Sequence, residues 1–142
     1  MFNKNLLKSI KGELAFLANI KKIVDERGGL TAAEYPTEIP FLPKRYFLIS
    51  GVSSMAIRGE HAHKKCGQFL VCLQGSCKVT LNNGHESVNV VLSSQEQGLY
   101  LPSMIWGIQS DYSADAILLV LASDIYDTED YIRNYEEFLS IV

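Results

Sequence analysis

Short apolar runs separated by turn residues are the main pattern along this chain. The apolar runs cover residues 14–20, 46–49, 69–73, 77–81, 88–92, 99–101 and 117–121. Residues 77–81 alternate between apolar and polar side chains, as expected of a strand with one face in the core. Residues 82–84, Asn-Asn-Gly, favour a tight hairpin because Asn and Gly tolerate positive φ. About seven to ten short strands with close turns predict an all-β sandwich or barrel.

One helix is predicted, at residues 127–139. Asp127 can cap its first turn, which is rich in acidic residues. At helical spacing, Tyr131, Tyr135 and Phe138 fall on one face and can pack against the barrel.

Composition and charge limit the classes of protein to consider. The chain has 142 residues, of which 47% are hydrophobic and 20% charged, and this predicts one globular domain over residues 1–142. Residues 1–13 could form an N-terminal arm or a short helix. Thirteen basic and sixteen acidic residues give a net charge of −3. This balance argues against a broad surface for nucleic acid but allows a local cationic pocket.

The cysteines and the hydropathy pattern predict a cytoplasmic protein. Cys66, Cys72 and Cys77 form an odd set without CxxC spacing, so neither a disulfide framework nor a zinc site is indicated. The N-terminus does not resemble a signal peptide, and no apolar run approaches 18 residues. We therefore expect reduced thiols and no membrane partner.

The densest group of polar residues surrounds two histidines. In an extended strand, His61 and His63 point to the same face, with Cα atoms roughly 6.5–7 Å apart. Their spacing to Gln68 and Gly75 resembles the first motif of the cupins, in which the Gln position is usually a metal-binding Glu. The plain alternative is a pair of histidines on a solvent-facing strand.

A metal site is not expected at these histidines. A cupin metal centre would need a third imidazole near residues 98–107, where none occurs, and His85 lies in the predicted hairpin turn. Two imidazoles and the neutral Gln68 are a poor ligand set for a catalytic divalent ion. Histidine instead suits proton transfer, because its ordinary pKa lies near working pH. We therefore predict acid–base chemistry by His61 and His63 without a cofactor.

Arginine and aromatic side chains are candidates for binding an anionic ligand. Arg27, Arg45 and Arg58 could each bind a phosphate through the planar guanidinium, although a plain surface role is equally common. Tyr100 and Trp106 could stack on a base or a sugar, with core packing as the more frequent role.

Several segments together resemble the WxcM-like cupins, a family of sugar 3,4-ketoisomerases that act on dTDP-4-keto-6-deoxyglucose. The resemblance covers residues 14–138 or so and is most specific in the histidine segment and the closing segments. The matching segments are residues 25–28 (DERG), 58–63 (RGEHAH), 75–76 (GS), 98–102 (GLYLP), 104–106 (MIW), 118–123 (LLVLAS), 126–127 (YD) and 130–133 (DYIR), with Gln68 and Tyr135.

The resemblance implies a double-stranded β-helix, or jelly-roll barrel, that forms a homodimer and needs no metal or organic cofactor. It implies a dTDP-linked 4-keto-6-deoxyhexose as substrate, in dTDP-amino-sugar and polysaccharide biosynthesis. His61 and His63 would be the catalytic pair, Arg58 would bind the diphosphate or the sugar, and Arg27 would face the hexose. The chain departs from the family after Arg45, where the strand is poorer in tyrosine, and at Gly107, which has no side chain.

Two other functions remain open from the sequence. A metal-dependent cupin enzyme would use His61, His63 and Gln68 as ligands. A non-catalytic nucleotide-sugar-binding cupin would bind the ligand without exchanging protons. The configuration at C4 of the product, galacto or gluco, is also left open.

Overall fold

The computed structural model describes residues 3–142, which form two antiparallel sheets, a separate hairpin and a short C-terminal helix. The strands are β1 (Asn3–Lys8), β2 (Leu14–Asn19), β3 (Lys21–Asp25), β4 (Gly28–Ala32), β5 (Arg45–Ser50), β6 (Arg58–His63), β7 (Gln68–Gln74), β8 (Cys77–Asn82), β9 (Ser87–Leu92), β10 (Gln97–Leu101), β11 (Trp106–Ser110), β12 (Ile117–Ala122) and β13 (Tyr131–Ile132). A 3₁₀ turn covers Thr128–Asp130, and helix α1 covers Tyr135–Ile141.

The two sheets have the crossed-over strand order of a jelly roll. One sheet has the order β1-β2-β10-β7-β12-β5, and the other has the order β13-β6-β11-β8-β9. Within residues 3–142, strands β3 and β4 pair only with each other. The prediction of an all-β jelly-roll barrel with one terminal helix is therefore confirmed.

Strand β7 lies at the centre of the six-stranded sheet and is apolar on both faces. Leu70 and Cys72 belong to the main core between the sheets, whereas Phe69 and Val71 belong to a second cluster on the outer face. Burial on both faces explains why residues 69–73 form a continuous apolar run rather than an alternating one. Burying each large apolar side chain contributes about 1.5–3 kcal/mol to stability.

The N-terminal segment is a strand, and neither a helix nor a loose arm. Residues 3–8 pair antiparallel with β2, and the side chain of Leu7 is only 3% exposed in the main core. Pairing with β2 provides hydrogen-bond partners for the backbone of this segment. Because alternate side chains of a strand point to opposite faces, Leu7 points into the core. The first two residues of the predicted arm, 1 and 2, lie outside the described residues.

The C-terminal helix is shorter than predicted and begins eight residues later. Asp127 caps the 3₁₀ turn, while Asn134 caps α1 by accepting a hydrogen bond from the Glu137 N–H. Tyr131 is not helical, because its backbone pairs with His63 in β6. Among the described residues, no helix has the length and apolar character that a membrane span requires.

Candidate active site

A bulge in β6 sets the direction of the two histidines. Gly59 and Glu60 have φ angles of +81° and +55°, and the register against β11 shifts at this point. His61 lies opposite Gly107, and Gly59 opposite Ile108, so Glu60 is the extra residue. A Cβ atom on Gly59 would lie 2.8 Å from the Gly107 carbonyl oxygen, so this close approach requires glycine.

A mostly polar cavity of about 200 Å³ lies beside this bulge. Its wall is formed by Phe47, Ile49, Arg58, Gly59, His61, Gln68, Gln109, Tyr131 and Arg133. His63 lies directly behind His61, 5% exposed, with the ring centroids 5.0 Å apart and the rings almost perpendicular. The structure thus brings both predicted histidines, Arg58 and Gln68 to one place.

His61 presents an unprotonated nitrogen to the cavity. Its Nδ1 lies 2.9 Å from the carbonyl oxygen of Gly59, and because a carbonyl only accepts, Nδ1 carries the hydrogen. Burial, with the neighbouring His63 adding to it, lowers the pKa of His61 to about 4. The ring is therefore neutral at pH 7, with a free lone pair on Nε2.

His63 has a charged partner that His61 lacks. Its Nδ1 lies 2.9 Å from Oδ2 of Asp130, and its Nε2 lies 3.5 Å from Nε2 of Gln68. Burial lowers the pKa of His63, the bond and charge of Asp130 oppose that shift, and the charges of Arg45 and Arg133 add to it. The carboxylate makes His63 the histidine better able to hold a proton.

Tyr131 packs against both imidazoles and was not among the predicted site residues. Its ring centroid lies 5.0 Å from that of His61 and 4.4 Å from that of His63. The guanidinium of Arg133 lies 4.3 Å from the centre of the same ring. Tyr131 in β13 and Arg133 just after it both line the cavity, and only the closing DYIR segment of the family resemblance indicated them.

The family model "WxcM-like, C-terminal" matches residues 14–142. The chain belongs to the WxcM-like family. The resemblance inferred from the sequence is thereby confirmed.

Similar proteins of this family have been described and solved. A TDP-4-oxo-6-deoxy-alpha-D-glucose-3,4-oxoisomerase of Aneurinibacillus thermoaerophilus is 47% identical over 120 residues, which cover 84% of this chain and 86% of that protein. A variant of the 3,4-ketoisomerase QdtA from Thermoanaerobacterium thermosaccharolyticum, solved with TDP-4-keto-6-deoxyglucose, has a TM-score of 0.86 at 38% identity, covering 89% of this chain and 92% of that one. WlaRB, a TDP-quinovose 3,4-ketoisomerase from Campylobacter jejuni, has a TM-score of 0.85 at 41% identity, with 89% and 97% coverage.

The arginines of this WxcM-like protein divide between the cavity and the distant hairpin. Arg58 lines the cavity, and Arg45 stacks on Phe47, a cavity residue, at 5.2 Å. Arg27 instead lies at the turn between β3 and β4, 86% exposed and paired with Asp25 at 2.7 Å. It lines a separate groove, so within one chain it does not meet the histidines.

Tyr100 and Trp106, which the sequence made candidates for stacking on the ligand, lie outside this cavity. The Tyr100 hydroxyl donates to Glu13 at 2.9 Å, and the ring packs on Phe16. Trp106 is 5% exposed and packs against the terminal helix through Phe138, with the centroids 5.6 Å apart. In this chain both aromatic rings pack against other apolar side chains, which is the alternative role given for them above. Gln109, which the sequence did not indicate, does line the cavity.

Three potential metal-binding side chains also meet here. One ligand atom each from His63, Cys66 and Asp130 lie within 4.8 Å of one another. Both carboxylate oxygens of Asp130, however, already accept hydrogen bonds from residues 63–66, including one from the His63 ring. The set is therefore organised as a hydrogen-bonded cluster, and we assign no metal centre to it.

Proposed function

We propose that this protein is a sugar 3,4-ketoisomerase that converts dTDP-4-keto-6-deoxyglucose into a dTDP-3-keto-6-deoxyhexose. The observation that carries the proposal is the pair of adjacent imidazoles, each with Nδ1 engaged, of which His61 lines a cavity that also contains Arg58. The names of the similar ketoisomerases support the same reaction.

The reaction moves one proton between carbons and one between oxygens. His63 removes the proton from C3, which the neighbouring C4 carbonyl acidifies, and an enediolate forms. The proton then reaches C4, while the C3 hydroxyl gives up its proton and the C4 oxygen gains one. Electrons stay within the sugar, so no external oxidant or reductant is needed.

His61 is suited to a different role from His63. With a pKa of about 4 it does not retain a proton at neutral pH, but its free Nε2 can accept a hydrogen bond from a sugar hydroxyl. Arg58 and Arg133 can stabilise the oxyanion or the diphosphate. Arg45 has a buried Nε with no partner among residues 3–142, so it has a donor to offer.

We also propose a homodimer in which Arg27 of one subunit reaches the hexose in the other. The β3–β4 hairpin exposes Ile23, Val24 and Leu30 by 54%, 69% and 63%, which is costly in a free monomer. Sedimentation at micromolar concentration should give a dimer. Arg27→Ala should then impair turnover although the residue is remote from its own histidines.

A cytoplasmic location and a role in dTDP-amino-sugar and polysaccharide synthesis complete the proposal. Cys66, Cys72 and Cys77 are free and buried, which suits a reducing compartment. Fractionation of cells that produce the protein would test the location.

The decisive experiment follows the sugar by NMR in deuterated water. We expect loss of the C3 proton signal, appearance of a 3-keto product and deuterium at C4, because the enediol exchanges with solvent. The configuration of the new C4 centre distinguishes galacto from gluco. Binding without exchange would instead favour the nucleotide-sugar-binding module.

Chelation separates the proposed reaction from a metal-dependent one. Dialysis against a strong chelator should leave turnover unchanged, because two histidines alone provide the proton transfer. Loss of activity that one stoichiometric divalent ion restores would contradict the acid–base role of His61 and His63.

A further inference from the structure

Gln109 is a buried glutamine of β11 that lines the polar cavity beside His61. The residue is 9% exposed, and in the register of the sheet it lies opposite Arg58 of β6. Two positions earlier in β11, Gly107 lies opposite His61. Because alternate residues of a strand share a face, β11 directs the Gln109 side chain to the same side of the sheet as the space beside His61.

A buried tyrosine determines how the Gln109 amide is oriented. The Tyr112 hydroxyl lies 2.9 Å from Oε1 of Gln109, and the Tyr112 side chain is 1% exposed in the main core. Burial raises the pKa of Tyr112 to about 12, so the hydroxyl keeps its hydrogen. In the reversed orientation of the amide, that hydrogen would face an NH₂ group, which only donates, and would be unpaired in the core. Oε1 therefore faces Tyr112.

The nitrogen of the same amide is left free for a ligand. Nε2 of Gln109 has no hydrogen-bond partner within residues 3–142, yet it is not sealed in the core, unlike the buried Nε of Arg45. It is open to the cavity that Gln109 lines. Gln68, a second glutamine of the cavity, instead has its Nε2 3.5 Å from Nε2 of His63.

The donors and acceptors of the cavity match the two groups that exchange in the ketosugar. An amide NH₂ only donates, and the unprotonated nitrogen of a neutral imidazole only accepts. A ketone oxygen only accepts, whereas the neighbouring hydroxyl can donate. Nε2 of His61 therefore suits the sugar hydroxyl, and Nε2 of Gln109 suits the carbonyl oxygen.

We propose that Gln109 donates its amide N–H to the C4 carbonyl oxygen of the substrate, and that Tyr112 is the positioning residue that holds the amide in this orientation. The inference rests on the proposed function. As the proton leaves C3, negative charge develops on the C4 oxygen and strengthens the hydrogen bond. The amide thus stabilises the enediolate, and its contribution is to kcat rather than to substrate affinity.

Three variants separate contact with the substrate from a purely structural role. Gln109→Met keeps the length of the side chain but removes the amide, which leaves the Tyr112 hydroxyl unpaired. Tyr112→Phe removes that hydroxyl and frees the amide to rotate. In the double variant neither polar group remains, so the stability lost in Gln109→Met should be largely regained. Gln74→Met, at the exposed end of β7, is the matched control.

Steady-state kinetics with dTDP-4-keto-6-deoxyglucose and urea midpoints are the two readouts. We expect Gln109→Met and the double variant to lose about 10²–10³-fold in kcat with little change in KM, as loss of one oxyanion donor does. Tyr112→Phe should lose less, because the amide is still present. Gln74→Met should keep the wild-type kcat and KM.

Gln109→Glu tests the same contact if the methionine variants do not fold. One carboxylate oxygen can still accept from the Tyr112 hydroxyl, but the other presents lone pairs to the C4 oxygen in place of N–H groups. We expect kcat to fall at least as far as in Gln109→Met. A folded Gln109→Glu variant with wild-type kcat would overturn the proposal.

Two further results would also overturn it. A double variant with wild-type kcat would mean that Gln109 serves only as the acceptor for Tyr112. A raised KM with unchanged kcat in Gln109→Met would place the amide at a part of the substrate that gains no charge. Failure of the proposed function is distinct from these results, because it shows as absent deuterium exchange in the wild type, whereas each comparison here is made with an active wild type.

Discussion

Two cavities of similar size lie on opposite faces of the six-stranded sheet and differ in chemistry. Gln68 lines the histidine cavity of about 200 Å³, and the next residue, Phe69, lines an apolar cavity of about 220 Å³. Successive side chains of a strand point to opposite faces, so β7 separates the two. Thr31 and Gln95 are the polar residues of the apolar cavity, and they bond to each other at 3.2 Å.

The difference teaches that convergent polar groups, rather than volume, mark the reaction site. The histidine cavity combines two arginines, two glutamines and an imidazole with a shifted pKa, a combination typical of active sites. The outer cavity offers apolar surface beside the exposed hairpin and suits contact between subunits. We therefore expect substitutions at the first to change turnover and substitutions at the second to change stability or assembly.

The largest effect is expected for His63→Asn, which keeps a polar group but removes the titratable base. The turnover number should fall by about 10²–10⁴-fold. Steady-state kinetics with dTDP-4-keto-6-deoxyglucose would measure it, with His85→Asn on the exposed hairpin as the matched control. His61→Asn should also impair turnover, through substrate orientation. A double histidine variant with wild-type turnover would place the site elsewhere.

The converse prediction concerns Phe69→Ala on the outer face of β7. Phe69 is 0% exposed, so truncation should lower the free energy of unfolding by about 3–5 kcal/mol. Urea denaturation would measure the change. Under conditions where the variant is folded, its kcat should fall far less than that of His63→Asn. A loss of turnover as large as that of His63→Asn would contradict the prediction that the outer face of β7 serves stability rather than catalysis.

A smaller effect is expected in the pH dependence of stability. The folded pKa of His61, about 4, lies below its ordinary value of 6.5, so the unfolded chain binds the proton more readily. Stability should therefore fall as pH drops from about 6.5 to about 4. The dependence should be weaker in His61→Asn than in the wild type, as measured by urea midpoints at a series of pH values. An unchanged dependence in His61→Asn would mean that burial of this ring is not its cause.

Local spacing predicted part of the site, and pairing between distant segments decided the rest. His61 and His63 could be placed together because alternate residues of a strand share a face. His63 and Asp130 are 67 residues apart in the chain, and the spacing of residues along the sequence does not predict a hydrogen bond between segments so far apart. Tyr131 fitted a helical period with Tyr135, yet its backbone bonds to β6.

The same limit explains the residues that were assigned to the ligand and lie elsewhere. Arg27 is next to a turn in the β3–β4 hairpin. Among the described residues this hairpin is separate from both sheets, and the sequence pattern does not reveal this. Tyr100 alternates with Leu99 along β10, and the two faces of that strand could not be told apart, since both are apolar. The all-β class needed only the strand pattern, so it was predictable, whereas the jelly-roll arrangement was implied by the family resemblance.

The smallest effect is expected for Tyr100→Phe, which removes one hydroxyl on the outer face. That hydroxyl donates to Glu13, an exposed carboxylate that water can solvate after the change, so the loss should be about 0.5–1.5 kcal/mol at most. Because burial raises the pKa of Tyr100, the hydroxyl stays protonated across the working range and provides no base. Turnover should therefore match the wild type when both are measured with dTDP-4-keto-6-deoxyglucose. A tenfold fall in kcat/KM would show instead that Tyr100 contacts the substrate and that the outer face belongs to a site shared between subunits.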